Sequence, residues 1–133
     1  MAKRCAAGFL DGALNVIKTG VTGVGPANLQ VVLTAEPTTF LEANATFRLA
    51  GVAMAGTDYT IANGDGVGVI PRKATMTAKS AVSVTATGAA THIALIDTLN
   101  SLVLEVTLCT SQVLTSGNTV NIPAWKIEIG APT

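Results

Sequence analysis

Histidine occurs once in this chain, at position 92, so a catalytic triad or an imidazole-based metal site would have to recruit it. The surrounding run, Thr91-His92-Ile93-Ala94-Leu95-Ile96-Asp97, reads as a strand and has no second histidine at a metal-ligand spacing. Alternation along a strand turns His92 to the face opposite Ile93 and Leu95. It therefore reads as a half-buried, hydrogen-bonded strand histidine rather than a general base or ligand. No serine in a Gly-x-Ser-x-Gly elbow accompanies it.

The eight carboxylates, Asp11, Glu36, Glu42, Asp58, Asp65, Asp97, Glu105 and Glu128, are spread along the chain. None makes a local pair suited to acid–base work, and pairing through the fold stays open. Asn63-Gly64-Asp65-Gly66 invites comparison with a calcium loop. It lacks the alternating oxygen ligands and the closing glutamate that such a loop needs, so a solvated turn is the reading. Gly64, Gly66 and Gly68 do not complete a phosphate-binding fingerprint, and no Lys-Ser or Lys-Thr follows. Asn44-Ala45-Thr46 matches a glycosylation acceptor, a pattern with meaning only in a secretory pathway. Cys5 and Cys109 are too few for a disulfide scaffold, and the reading is a buried thiol at 109 with an incidental one at 5. The residues predict no catalytic, metal or cofactor-binding site, and hence no enzyme and no small-molecule substrate.

Bulk composition narrows the class further. At 133 residues the chain suits one domain with one core. Apolar residues reach 49% while charged residues stop at 12%, about half the usual share. The excess is mostly Ala and Val, and roughly one residue in seven is Thr. Branching at Cβ suits a pleated, half-buried surface, so Val and Thr favour strands. Short neutral side chains lose little rotamer entropy when a partner covers them, which suits a life in an assembly. Ser and Ala, however, are commonly depleted at interfaces. Eight bases balance eight acids, so the cationic footprint of a nucleic-acid binder is missing. The start, Met1 to Ile17, superficially resembles a signal peptide, but Asp11 and Asn15 interrupt it and no clean cleavage site follows. No run has the length of a membrane span. The expectation is a soluble protein made in the cytoplasm.

These residues need elements to position them. Ala6, Leu10, Ala13, Leu14 and Ile17 recur at helical spacing, which predicts a helix over 6–18, with Lys18 in its last turn and Gly20 as its stop. The stripe either packs on the chain's own sheet, the ordinary use, or docks on a partner. Residues 20–28 read as a loop and Leu29 to Ala35 as a buried strand. Thr39 and Glu42 stand at capping-box spacing and predict a single helical turn. Phe47 to Ala55 is a further strand candidate, and Gly56-Thr57-Asp58 and Asn63-Gly64-Asp65-Gly66 are turn signals around Tyr59 to Ala62. Lys73 to Ala78, Ala81 to Thr87, Thr91 to Asp97 and Leu102 to Thr110 follow as short strands at regular spacing.

Val82, Val84 and Ala86 alternate with Ser83, Thr85 and Thr87, and Leu102, Leu104, Val106 and Leu108 share one face opposite Val103, Glu105, Thr107 and Cys109. Asp97 to Ser101 predicts a hairpin connection, and Ser116-Gly117-Asn118 a tight turn. In the last strand, Val120 to Ile129, the inward parity switches across Pro123, which predicts a bulge there. The fold class is mainly β: a single antiparallel β-sandwich or jelly-roll-like domain with a short N-terminal helix. One domain covers 1–133, with 1–20 as the helical segment and 29–130 as the sandwich.

The run from Thr91 to Asp97, Leu102-Val103-Leu104, Cys109-Thr110-Ser111-Gln112 and Leu114 to Ala124 resembles a family of small virion proteins of tailed bacteriophages. Ala6 to Leu14 and Glu36-Pro37-Thr38-Thr39-Phe40 fit it too, so the similarity touches most of the chain, most clearly 81–130. The resemblance implies a structural virion protein, in the first place a head decoration or cement protein on the capsid exterior. It implies a major capsid protein and copies of itself as partners, with no cofactor, nucleic acid or membrane. The alternative it leaves is a neck, tail-tip or fibre component that binds a host surface, including glycans. Because large apolar side chains dominate protein contacts, Phe9, Leu14, Ile17 and Trp125 are the expected anchoring residues.

Overall fold

The N-terminal apolar stripe does form a helix, α1, over Ala7–Thr19. Gly20, at φ +72°, ends it, and a Cβ there would lie 2.6 Å from the Gly25 carbonyl group, so only glycine fits. The computed structural model of the chain describes residues 6–65 and 71–130; Cys5, Gly66 and Gly68 lie outside them. The stripe is narrower than its spacing implies. Leu10 and Leu14 are buried and Ile17 half-buried, while Ala6 and Ala13 face solvent. The helix packs on the chain's own strands β3 (Tyr59–Asn63) and β4 (Arg72–Met76).

The protein is mainly β. Strands β1 (Leu29–Leu33), β2 (Arg48–Ala53), β6 (Gly88–Asp97) and β7 (Leu102–Leu114) form an antiparallel sheet in the order β2-β1-β6-β7. A second sheet runs β3-β4-β9, with β9 spanning Trp125–Ile129, and a third pairs β5 (Lys79–Ser83) with β8 (Thr119–Ile122). A bridge between Ala50 and Val84 joins β2 to the end of β5.

Both faces of the four-stranded sheet are covered. On the inner face, Val32, Ala50, Ile93 and Leu114 meet Val82, Val84 and Ile122 of the β5–β8 pair. Further along that face Leu95 meets Tyr59 and Met76 of the second sheet. On the outer face Val31, Leu33, Ala94 and Ile96 are capped by Phe40, Ala43 and Phe47. These come from the predicted helical turn, which opens at Phe40 and continues as a π-helical segment, Glu42–Thr46. Its start is the reciprocal cap read in the sequence: Glu42 N–H donates to Thr39 Oγ1 at 3.2 Å, and Thr39 N–H to the Glu42 carboxylate at 3.1 Å. Double coverage explains why β6 is buried continuously from Ile93 to Asp97, as in any strand with a core on each side.

Three strand expectations change. β7 runs on to Leu114, and its register slips opposite Leu95/Ile96 and again opposite Ala90/His92. Each slip changes facing, so Leu102, Leu104, Val106 and Leu108 do not share one face: Leu104 packs inward, whereas Leu108 is 76% exposed. The stretch Ala81 to Thr87 is not one regular strand, because Ala81 sits at φ +54° and Val84 makes only the isolated bridge to Ala50. Its alternation survives, with Val82 and Val84 buried and Ser83 and Thr85 exposed. Finally, Pro123 marks no bulge within one strand. The chain leaves β8, paired to β5, and enters β9, paired to β4, so the parity switch is a change of sheet.

Candidate functional site

His92 is half-buried on the outer face, across from Leu33 and Leu108, with its Nδ1 2.8 Å from Thr91 Oγ1. No carboxylate reaches it among the described residues, and no group of three or more His, Cys, Asp or Glu there could hold a metal ion. Asp65 is engaged otherwise. Lys126 and Lys73 both donate to its carboxylate and hold its pKa down to about 2. With two ammonium groups in the positions a cation would need, this turn is a surface ion cluster that also takes in Glu128.

A groove of about 240 Å³ opens between β6, β7 and β8, lined by Val32, Ile93, Cys109, Gln112, Asn121 and Pro123 among others. Its walls are mostly apolar. The Asn121 carboxamide accepts from Ala81 N–H at 2.9 Å and so helps to hold β5. Burial pushes the Cys109 thiol above its ordinary range, which keeps it protonated and weakly nucleophilic at neutral pH. The groove can receive an apolar group; among the described residues that line it there is no activated acid, base or nucleophile.

One row along the inner face, Val52, Gln30, Leu95 and Glu105 stand side by side across the four strands. Gln30 is fully buried and neither end of its carboxamide is hydrogen-bonded among the described residues; the Trp125 indole N–H is likewise buried without a partner among them. Trp125 packs on both inner core clusters. Burial raises the pKa of Glu105, which is half-buried on β7.

The four expected anchoring residues thus separate. Phe9 is 73% exposed and available to a partner. Leu14 is 2% exposed, so its surface is already spent under α1. Ile17 and Trp125 are half-buried against the chain's own core. Among the described residues the exposed large apolar side chains are Phe9, Val21, Leu41, Leu99, Leu108 and Val113. Sequence reasoning missed Leu108 and Val113, because their exposure follows from the β7 register slips. Among the described residues no helix is long and apolar enough to cross a membrane. Compared with protein-family models, with curated proteins and with solved structures, the chain matches none.

Proposed function

We propose that this chain is a structural component of a tailed-phage particle, in the first place a decoration or cement protein that stabilises the major-capsid lattice through protein–protein contact. The observation that carries the reading is the kind of surface it presents. The folded chain holds a set of large apolar side chains in water, Phe9 on α1, Leu41 on the helical turn and Leu108 and Val113 on β7 among them, against a background of short neutral ones. Such residues gain most by being covered, and a rigid support keeps the ordering cost of covering them low. The resemblance of residues 81–130 to small virion proteins supplies the particle. Repetition over a lattice makes individually modest contacts add up.

Quantitative mass spectrometry of purified particles tests this. A copy number comparable to that of the major capsid protein is the expected result, with heads that open at lower temperature once the protein is stripped. A handful of copies per particle, or labelling confined to the tail, would replace this reading with a neck, tail-tip or fibre role.

A further inference from the structure

β7 is the longest strand, thirteen residues from Leu102 to Leu114, and β6 is its only strand neighbour among the described residues. Its other side is a row of backbone N–H and C=O groups able to take up another strand. Proteins ordinarily guard such rows with lysines, prolines, short strands or a covering element. The other edges of the two larger sheets are guarded in those ways. β2 is continued by the bridge to Val84 and by Thr85 N–H donating to the Leu49 carbonyl. β9 has five residues and carries Lys126 and Glu128, and β3, also five residues, lies against α1. β7 has no proline, no lysine and a single charge, Glu105, and it presents Leu108 and Val113, each 76% exposed.

We propose that β7 is a self-association edge, on which two copies of this chain pair β7 to β7, antiparallel, about a two-fold axis at Leu108. Antiparallel pairing about a two-fold brings a strand onto itself, so one patch serves both partners and donors meet acceptors. Leu108 is the midpoint of Leu102–Leu114, so this register engages the whole strand. It sets Leu108 against Leu108, Val106 against Thr110, Val103 against Val113 and Glu105 against Ser111. Charge permits it and rules out one alternative: the one carboxylate of the strand faces a neutral serine, whereas an axis at Glu105 would oppose two carboxylates. The irregular stretch 109–111 of each copy faces 105–107 of the other, where the pairing with β6 is regular, so a bulge never meets a bulge. Two exposed leucines leave water together at the axis, and two four-stranded sheets become one. The inference concerns the isolated chain and holds whether or not the protein belongs to a virion.

Sedimentation of the full chain over a micromolar to millimolar range tests it. The expected mass is twice the 13.4 kDa of one chain. Leu108→Lys, which opposes two ammonium groups at the axis, should return the mass to that of a single chain with an unchanged circular dichroism spectrum. Leu99→Lys, at an equally exposed leucine in the hairpin turn (78%), should leave the dimer intact. In a Cys5→Ser, Cys109→Ser background, Leu108→Cys should form a disulfide-linked dimer under mild oxidation, because directly opposed residues bring their Cα atoms to about 5 Å, within the span of a disulfide. Val113→Cys, which faces Val103, should not. A wild-type chain that stays single throughout the range, a dimer lost equally with Leu99→Lys, or equal crosslinking through Val113→Cys would each overturn the proposal.

Discussion

Arg72 and Asp11, 61 residues apart in the chain, are joined by two parallel bonds, Nε to Oδ1 at 2.5 Å and Nη2 to Oδ2 at 3.0 Å. The same guanidinium also donates to Asn63 Oδ1 on β3, so one side chain ties α1 to both strands beneath it. The pair keeps only 15% and 27% of its side-chain surface in water, which places it above an ordinary surface ion pair in strength. Asp11→Ala is expected to lower stability by about 1–2 kcal/mol, read from the midpoint of a urea titration. Arg72→Lys should lose most of that as well, since an ammonium cannot reproduce the two-pronged fork.

Leu14 and Phe9 of α1 separate packing from contact. Leu14→Ala removes a side chain that is 2% exposed and should cost about 2–4 kcal/mol of folding stability. Phe9→Ala alters a ring that is 73% exposed and should shift stability by less than about 0.5 kcal/mol. If the ring anchors the protein on a partner, Phe9→Ala should nonetheless reduce occupancy on reconstituted particles. Thermal melts and particle-binding assays on the same two variants read the two effects apart.

Gln30 fills a fully buried position with a carboxamide that has no hydrogen-bond partner among the described residues. Replacing it by the similarly shaped Met removes an uncompensated polar group from the core and should leave stability unchanged or raise it by about 1–2 kcal/mol. A loss larger than about 1 kcal/mol in the urea midpoint would mean that an ordered water satisfies the amide.

Asp97 carries the acid sensitivity of the β6–β7 hairpin. Burial pushes its pKa up, but the Asn100 side-chain amide and the N–H groups of Leu99, Asn100 and Gly25 outweigh that and leave the carboxyl below its ordinary 3.8. Asp58 is also lowered, chiefly by Lys79 and then by Ala55 N–H. A depressed folded pKa contributes stability that is complete above the unfolded value and is lost as pH falls through the folded one. Stability should therefore decline as pH drops below 3.8. Asp97→Asn should cost about 1–2 kcal/mol at neutral pH, and its gap from the wild type should narrow in acid. Urea titrations at a series of pH values check both; a gap that stays constant into strong acid would assign the loss to packing instead.

The sequence by itself determined what depends on near neighbours. Side-chain alternation made Val82 and Val84 inward whatever they would meet, and the stripe of α1 and the Thr39–Glu42 cap lie within a few residues of each other. The hairpin at Asp97 to Ser101 likewise follows from a carboxylate placed to accept the next N–H groups of its own turn. Tertiary structure decided what depends on distant partners. The parity switch at Pro123 was visible, but whether it meant a bulge or a change of sheet rested on β5 and β4, far away in the chain. The same holds for β7, where the register slip opposite Leu95/Ile96 set Leu104 toward the core and Leu108 on the opposite face. A one-residue slip reverses every side chain beyond it, and the free energy that selects it comes from packing across strands, which no local pattern records.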